Sequence, residues 1–151
     1  MLTKRSILSL FFAFVAVILV SCGDGAESSP PPSYSSEQIE QIQRSVKPVK
    51  QARQRLTEVE SYLQEKRWSD AFSVLHGPLG GLRREMSYVT RNLLPEDQKQ
   101  ARKYAKQLFQ DIEKVDAAIE KEDFPSALES YSRAIDDFDN YLSLVPKAEE
   151  T

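Results

Sequence analysis

The chain of 151 residues contains one cysteine, Cys22, and one histidine, His76. A zinc site built from Cys and His needs about four such ligands, and a c-type haem needs a Cys-x-x-Cys-His motif, so neither is predicted. A di-iron helical bundle needs Glu-x-x-His on two helices, and the residue three before His76 is Ser73. His76 with neighbouring carboxylates is left as a candidate for adventitious metal binding. Because the sequence also lacks a nucleophile–base pair and a phosphate-binding loop, we predict a non-enzymatic protein without a cofactor.

The sequence also lacks an excess of positive charge. It has 20 Lys and Arg residues against 23 Asp and Glu residues. A nucleic-acid-binding protein would be basic overall, so that class is excluded. The charge is nevertheless uneven, with seven basic and three acidic residues over 83–106 and ten acidic and three basic residues over 111–139. Either these are solvated helix faces, or the separated charge orients the protein on a charged partner.

The amino-terminal segment combines positive charge with a short apolar run. Lys4 and Arg5 precede apolar residues 7–20, which are interrupted by one serine. Such a run is shorter than the roughly 20 residues of a transmembrane helix but suits a signal peptide. It ends in Leu19-Val20-Ser21-Cys22, a pattern that resembles the lipobox of bacterial lipoproteins. We therefore predict that residues 1–21 are a signal peptide, and that a lipid joined to the sulfur of Cys22 anchors the remainder to a membrane. Removal of the signal peptide leaves 18 basic against 23 acidic residues, a net charge of −5.

The rest of the chain divides by composition. Residues 22–35 are small, polar and proline-rich, which predicts a flexible tether. Over residues 36–146, apolar side chains recur at steps of three and four, without alternating β-branched runs. Four such stripes with short connections predict an all-α, up-down-up-down four-helix bundle, followed by a tail over residues 147–151. The predicted core positions, helix by helix, are Ile39, Ile42, Val46, Val49, Ala52, Leu56, Val59 and Leu63; Trp68, Phe72, Leu75, Leu79, Leu82, Met86, Val89 and Leu93; Ala101, Ala105, Leu108, Ile112, Val115 and Ile119; and Ala127, Leu128, Tyr131, Ala134, Ile135, Phe138, Tyr141, Leu142 and Val145.

Signals for helix ends agree with this division. Ser35 and Gln38 have the spacing of a capping box at the start of the first helix. Pro95 and Pro125 stand where a first-turn proline is tolerated, at the starts of the third and fourth helices. Pro48 lies inside the first helix and predicts a kink there, because proline removes a backbone donor.

The segment His76-Gly77-Pro78-Leu79-Gly80-Gly81 departs from the helical pattern. Glycine and proline disfavour helix, yet the apolar spacing continues through the segment. We therefore predict a break within the second helix, with both halves still facing the core. Two interpretations of the glycines stay open: a docking surface where a partner approaches the backbone closely, or a packing kink against Pro48.

Several motifs together resemble a known family. They are His76-Gly77-Pro78-Leu79-Gly80, Leu82-Arg83-Arg84 with Met86, Leu93-Leu94-Pro95 with Asp97-Gln98, and Asp137-Phe138-Asp139 followed by Leu142, Leu144 and Pro146. With the lipobox and the proline-containing tether, they resemble the cyanobacterial PsbQ-like lipoproteins of photosystem II (CyanoQ) over essentially the whole chain. Plant PsbQ proteins are only remotely similar and lack the lipid, so their binding residues are not carried over.

The resemblance implies a non-enzymatic protein, lipid-anchored on the lumenal side of the thylakoid membrane. It implies binding to lumenal subunits of photosystem II and stabilisation of the oxygen-evolving assembly, including retention of calcium and chloride. We expect a monomer when free. Our hypothesis for the partner-binding residues is His76, Gly77, Pro78, Arg83 and Arg84, since arginine can pair bidentately with carboxylates. The alternative is a periplasmic helical-bundle lipoprotein that binds a small ligand or metal, which would need a polar cavity.

Overall fold

The computed structural model describes residues 32–77 and 79–148. This part of the chain contains six α-helices and no strand. Cys22, Pro78 and the predicted signal peptide lie outside the described residues. The helices are α1 (Ser36–Ser45), α2 (Lys47–Gln64), α3 (Trp68–His76), α4 (Leu82–Arg91), α5 (Pro95–Ile119) and α6 (Phe124–Ser143). The all-helical prediction is confirmed. The predicted first helix consists of α1 and α2, and the predicted second helix consists of α3 and α4.

The helix-end signals act where the sequence places them. Gln38 and Ser35 form the reciprocal capping box: the Ser35 N–H donates to Gln38 Oε1 at 2.9 Å, and the Gln38 N–H donates to Ser35 Oγ at 3.2 Å. Pro95 and Pro125 lie in the first turns of α5 and α6. Pro48 lies in the first turn of α2, so the helix is interrupted at this point, as its missing N–H predicts.

Most of the predicted core positions are buried in one contiguous cluster. The prediction that Phe72 belongs to the core is wrong, because Phe72 is 40% exposed. α3 buries Ala71, Val74 and Leu75, and Phe72 lies about 100° around the helix from the centre of that face. Seven other predicted positions are only partly buried: Ile39, Trp68, Ala105, Ile112, Leu128, Ile135 and Leu142.

Two helical hairpins hold the core together, and their turns share one geometry. Lys66 between α2 and α3 and Glu122 between α5 and α6 both have positive φ, at 56° and 53°. In each turn the next residue donates its N–H to a carbonyl five residues earlier, from Arg67 to Tyr62 at 2.8 Å and from Asp123 to Ala118 at 2.9 Å. This is the hydrogen bond of a Schellman motif, which satisfies carbonyls at a helix end.

Polar contacts between distant segments fix how these hairpins pack. Arg53 on α2 donates two hydrogen bonds to the carboxylate of Asp139 on α6, at 2.8 and 2.9 Å. Before α1, the Tyr34 hydroxyl donates to Asp97 at 2.8 Å and accepts the Leu94 N–H at 2.9 Å. Tyr34, two residues before α1, is therefore fastened to the connection between α4 and α5 and to the first turn of α5.

Candidate docking surface

The turn between α3 and α4 contains the predicted glycines. Gly77 donates its N–H to the Ser73 carbonyl at 3.0 Å and ends α3. A Cβ atom at Gly77 would lie 2.9 Å from that same carbonyl oxygen, and a Cβ at Gly80 would lie 3.4 Å from two carbonyls. A Cβ at Gly81 would meet only the Arg84 side chain, at 3.8 Å. The local backbone therefore explains why residue 77 is glycine. Neither a docking surface nor a packing kink against Pro48 is needed to explain it.

His76, the last residue of α3, links that helix to α5. Its Nε2 lies 2.8 Å from Oδ1 of Asp116, and its ring stacks on Phe72 with 4.1 Å between centroids. The pair is partly exposed to solvent. In residues 32–77 and 79–148, no group of three or more His, Cys, Asp or Glu side chains could hold a metal ion. The contacts of His76 thus describe a tie between helices.

Arg83 and Arg84 behave differently although they are adjacent. The Arg83 guanidinium lies over the ring of Phe109 on α5, with Cζ 4.1 Å from the centroid, and Nη2 lies 3.7 Å from Glu113. The Arg84 side chain is 83% exposed, and among the described residues its one salt-bridge partner is the neighbouring Glu85, at 2.9 Å. Phe109 and the His76 partner on α5 are seven residues apart, which is roughly 10 Å along a helix. The predicted binding residues that the structure describes, His76, Gly77, Arg83 and Arg84, therefore do not converge on a single point.

A groove between α4 and α5 places the predicted Arg83 near two basic residues that the prediction did not include. Its volume is about 230 Å³. Its positive side chains are Arg83, Arg102 and Lys106, and no acidic side chain lines it. The remaining lining is apolar or hydroxyl-bearing: Met86, Ser87, Thr90, Ala105 and Phe109.

The floor of this groove is held by a buried hydrogen-bond network. The hydroxyl of Tyr141 on α6 donates to the Met86 carbonyl at 2.7 Å. Thr90 donates to the same carbonyl at 2.8 Å, and the two hydroxyl oxygens are 3.0 Å apart. Burial raises the pKa of Tyr141 to about 12. The floor is thus tied to the helix on the far side of the core.

The outer face of α4, beside the groove, carries further basic side chains and an exposed tyrosine. Arg84, Tyr88 and Arg91 follow one another at helical spacing, and Tyr88 is 45% exposed. The Arg91 guanidinium lies 5.9 Å from the Tyr88 ring centroid. Exposed tyrosine and arginine are the residue types that most often carry binding energy at protein interfaces.

In the acidic segment, Asp111 is not part of a solvated helix face. The Asp111 side chain is 8% exposed and accepts hydrogen bonds from Lys114 at 2.7 Å and Arg133 at 3.2 Å. Burial raises the pKa of Asp137, and the negative charges of Asp111 and Asp136 raise it further. Part of the acidic excess is therefore neutralised within the fold.

The interior offers little polarity for a ligand. Within the described residues, the buried polar or charged residues other than tyrosine are Thr90, Asp111 and Ser130. Each of these three has a protein partner, and that of Ser130 is Arg133 at 3.0 Å. The Oε1 atom of the partly buried Gln107 is also buried, and it has no hydrogen-bond partner among the described residues. No helix in this part of the chain is long and apolar enough to cross a membrane.

Sequence reasoning counted Arg102 and Lys106 in the basic segment but did not assign them to a site. Their spacing of four residues places them on one face of α5, which the sequence could show. The sequence could not show that Arg83 lies beside them, since that depends on how α4 packs against α5.

Comparison with known proteins gives two matches. The family model described as "PsbQ: Oxygen evolving enhancer protein 3" matches residues 2–146. A protein of Synechocystis sp. (strain ATCC 27184 / PCC 6803 / Kazusa) named CyanoQ is 39% identical over 149 residues, which cover 95% of this chain and 97% of that protein.

Proposed function

Because the chain belongs to the PsbQ family, as its motifs predicted, we propose that it is an extrinsic, non-enzymatic subunit of photosystem II. It docks on the lumenal side and stabilises the oxygen-evolving assembly, including its retention of calcium and chloride. The observation that carries this proposal is similarity along nearly the full length of both this chain and its relative. In this proposal the six helices are the four of an up-down-up-down bundle, in which α1–α2 and α3–α4 are interrupted helices.

The test is a pull-down from detergent-solubilised thylakoid membranes through a carboxy-terminal tag. Photosystem II subunits should be recovered with the tagged protein. Recovery of the tagged protein alone, as a monomer, would contradict the proposal. Depleted membranes, to which the protein is then added back, should regain oxygen evolution at limiting calcium and chloride.

The membrane attachment in this proposal is a lipid on Cys22, after removal of residues 1–21, with residues 22–35 as the tether. Cys22→Ser should leave the precursor uncut and move the protein from the membrane fraction to the soluble fraction. A cysteine introduced as Ser28→Cys in that variant should not restore attachment, since Ser28 lies outside the lipobox. A Cys22→Ser protein that is processed and still pellets after a salt wash would show that another contact anchors it.

The docking residues in this proposal are His76, Gly77, Pro78, Arg83 and Arg84. The exposure of Arg84 and the adjoining Tyr88 and Arg91 supports it. Arg84→Glu should lower recovery of photosystem II, because it reverses one exposed charge without removing a contact of the core. Arg55→Glu on α2 is the matched control, since Arg55 is also exposed and the change in net charge is identical. Equal losses from the two variants would place the docking face elsewhere.

A further inference from the structure

The groove between α4 and α5 has an apolar floor and a positive rim. Met86, Ala105 and Phe109 supply the apolar surface, and Arg83, Arg102 and Lys106 supply the charge. Within the described residues, neither Arg102 nor Lys106 has a salt-bridge partner. Three like charges around one groove repel one another, and a bound carboxylate would relieve that repulsion.

The donor groups of these cations are available. Arg83 rests one face of its guanidinium on the Phe109 ring, which leaves the N–H groups at its edge free to point at an acceptor. Its contact with Glu113, at 3.7 Å between two mostly exposed side chains, is a weak one. Arg102 donates one hydrogen bond, at 3.2 Å, to the neutral amide of Gln98. The lysine ammonium has three donors of its own.

We propose that this groove binds an acidic segment of a photosystem II lumenal subunit, one in which carboxylates flank an apolar side chain. The inference rests on the proposed function and names the chemistry that the docking face recognises. The carboxylates would pair with Arg83, Arg102 and Lys106, while the apolar side chain would cover Met86 and Phe109.

The observations favour a protein segment over other anions. A small inorganic anion would use the cations but leave the apolar floor in water. A lipid surface would meet charges spread over an outer face, whereas these charges line the two sides of a groove. Helix α4, which forms one wall of the groove, also carries the exposed Tyr88 and Arg91 on its neighbouring face, residue types that are enriched at the centres of protein interfaces.

The test compares two charge reversals on the same helix of the full-length, tagged protein. Arg102→Glu with Lys106→Glu changes the groove, whereas Lys99→Glu with Lys103→Glu makes the same change in net charge outside it. The groove variant should recover roughly tenfold less photosystem II at low salt, and its recovery should respond less to added salt. The control variant should stay within about twofold of the unmodified protein. Circular dichroism melts of both variants show whether either change has affected folding.

A second measurement needs no variant. Lysines are acetylated in the wild-type protein, free and bound to photosystem II, and each is quantified by mass spectrometry. Lys106 should be protected in the complex, while Lys66, in the turn between α2 and α3, should be modified equally in both states. Vesicles containing phosphatidylglycerol should give Lys106 no protection by themselves.

Each contrary result has a distinct meaning. If wild-type protein recovers no photosystem II, the proposed function fails and this inference falls with it. If wild-type protein recovers it but both charge reversals act equally, net charge and not the groove controls binding, and the inference alone is overturned. Lys106 left unprotected in a stable complex would also overturn it. Protection by the vesicles alone would identify a lipid as the occupant and overturn it as well.

Discussion

Removing the hydroxyl of Tyr141 tests how the floor of the groove is held. Tyr141 on α6 is fully buried, and its hydroxyl donates to the Met86 carbonyl on α4 at 2.7 Å. In Tyr141→Phe that carbonyl still accepts from Thr90 at 2.8 Å. The change therefore removes a hydrogen bond between two helices and leaves no buried group without a partner.

The expected cost follows from that geometry. A buried hydrogen bond whose partners remain satisfied contributes about 1 kcal/mol. For a domain of this size, a loss of about 1 kcal/mol lowers Tm by roughly 3–5 °C. Thr90→Val should cost a similar amount, because Tyr141 then still donates to Met86. The double variant should cost more than the sum, since the carbonyl loses both side-chain donors.

The same substitution changes the response to alkaline pH. Burial raises the pKa of Tyr141 to about 12, against about 10 in an unfolded chain. The folded state therefore holds this proton more tightly, so the stabilisation is complete below pH 10 and is lost as pH rises toward 12. Two pH units correspond to at most about 2.7 kcal/mol. Tyr141→Phe should lose stability less steeply than wild type over this range, although Tyr34 and Tyr131, whose pKa values are also raised to about 12, still titrate.

The assay is urea unfolding followed by circular dichroism at pH 7, 10 and 11. A cost above about 3 kcal/mol at pH 7 would mean that the substitution leaves an unsatisfied group or a cavity that this geometry does not contain. If the free energy of unfolding falls equally steeply in wild type and variant above pH 10, ionisation of Tyr141 does not contribute to the loss of stability.

Three further predictions concern the turn between α3 and α4 and the acidic residues of α6. Gly77→Ala should destabilise the fold by about 1–3 kcal/mol, because its Cβ would lie 2.9 Å from the Ser73 carbonyl oxygen. Gly81→Ala is the control and should be neutral or slightly stabilising in the same thermal melts. Equal Tm values for the two variants would refute the close contact at Gly77. Asp137→Asn should raise Tm at pH 7 and lose that advantage below about pH 4, because the raised pKa of Asp137 means that its ionised form destabilises the folded state. Asp139→Asn should lower the free energy of unfolding by up to about 1 kcal/mol, and Tm with it, since its carboxylate accepts two hydrogen bonds from Arg53. A stabilised Asp139→Asn variant would contradict the opposite roles assigned to Asp137 and Asp139.

Local signals explain why so much of the fold could be predicted. The Ser35–Gln38 capping box and the first-turn prolines at 95 and 125 act through neighbouring backbone groups, so their effect does not depend on the rest of the molecule. Core positions on α5 and α6 follow because each helix is long enough to keep one face inward. The prediction for Phe72 was wrong because a step of either three or four residues after Trp68 fits a helical stripe, and the residue that α3 buries is Ala71.

The proposed binding surface was harder to predict from the sequence than the fold. The basic residues were visible as a count, but Arg83 and Lys106 are 23 positions apart and meet only because α4 packs against α5. Aromatic side chains such as Phe109 carry no sign in the sequence that an arginine will rest on them. Conversely, Asp111 was counted with the acidic face, although burial and two basic partners remove it from that surface.

The glycine turn and the arginines after it belong to one structural unit. Gly77 ends α3 where a side chain would strike a carbonyl, and Leu79 and Leu82 are both buried on the far side of that break. Burial of Leu82 fixes the rotational phase of α4. Because Arg83 is the next residue, that phase turns it out of the core and over Phe109 at the edge of the groove. In the proposed docking, the glycines would therefore act through the placement of α4, and direct contact between a partner and the turn would not be required.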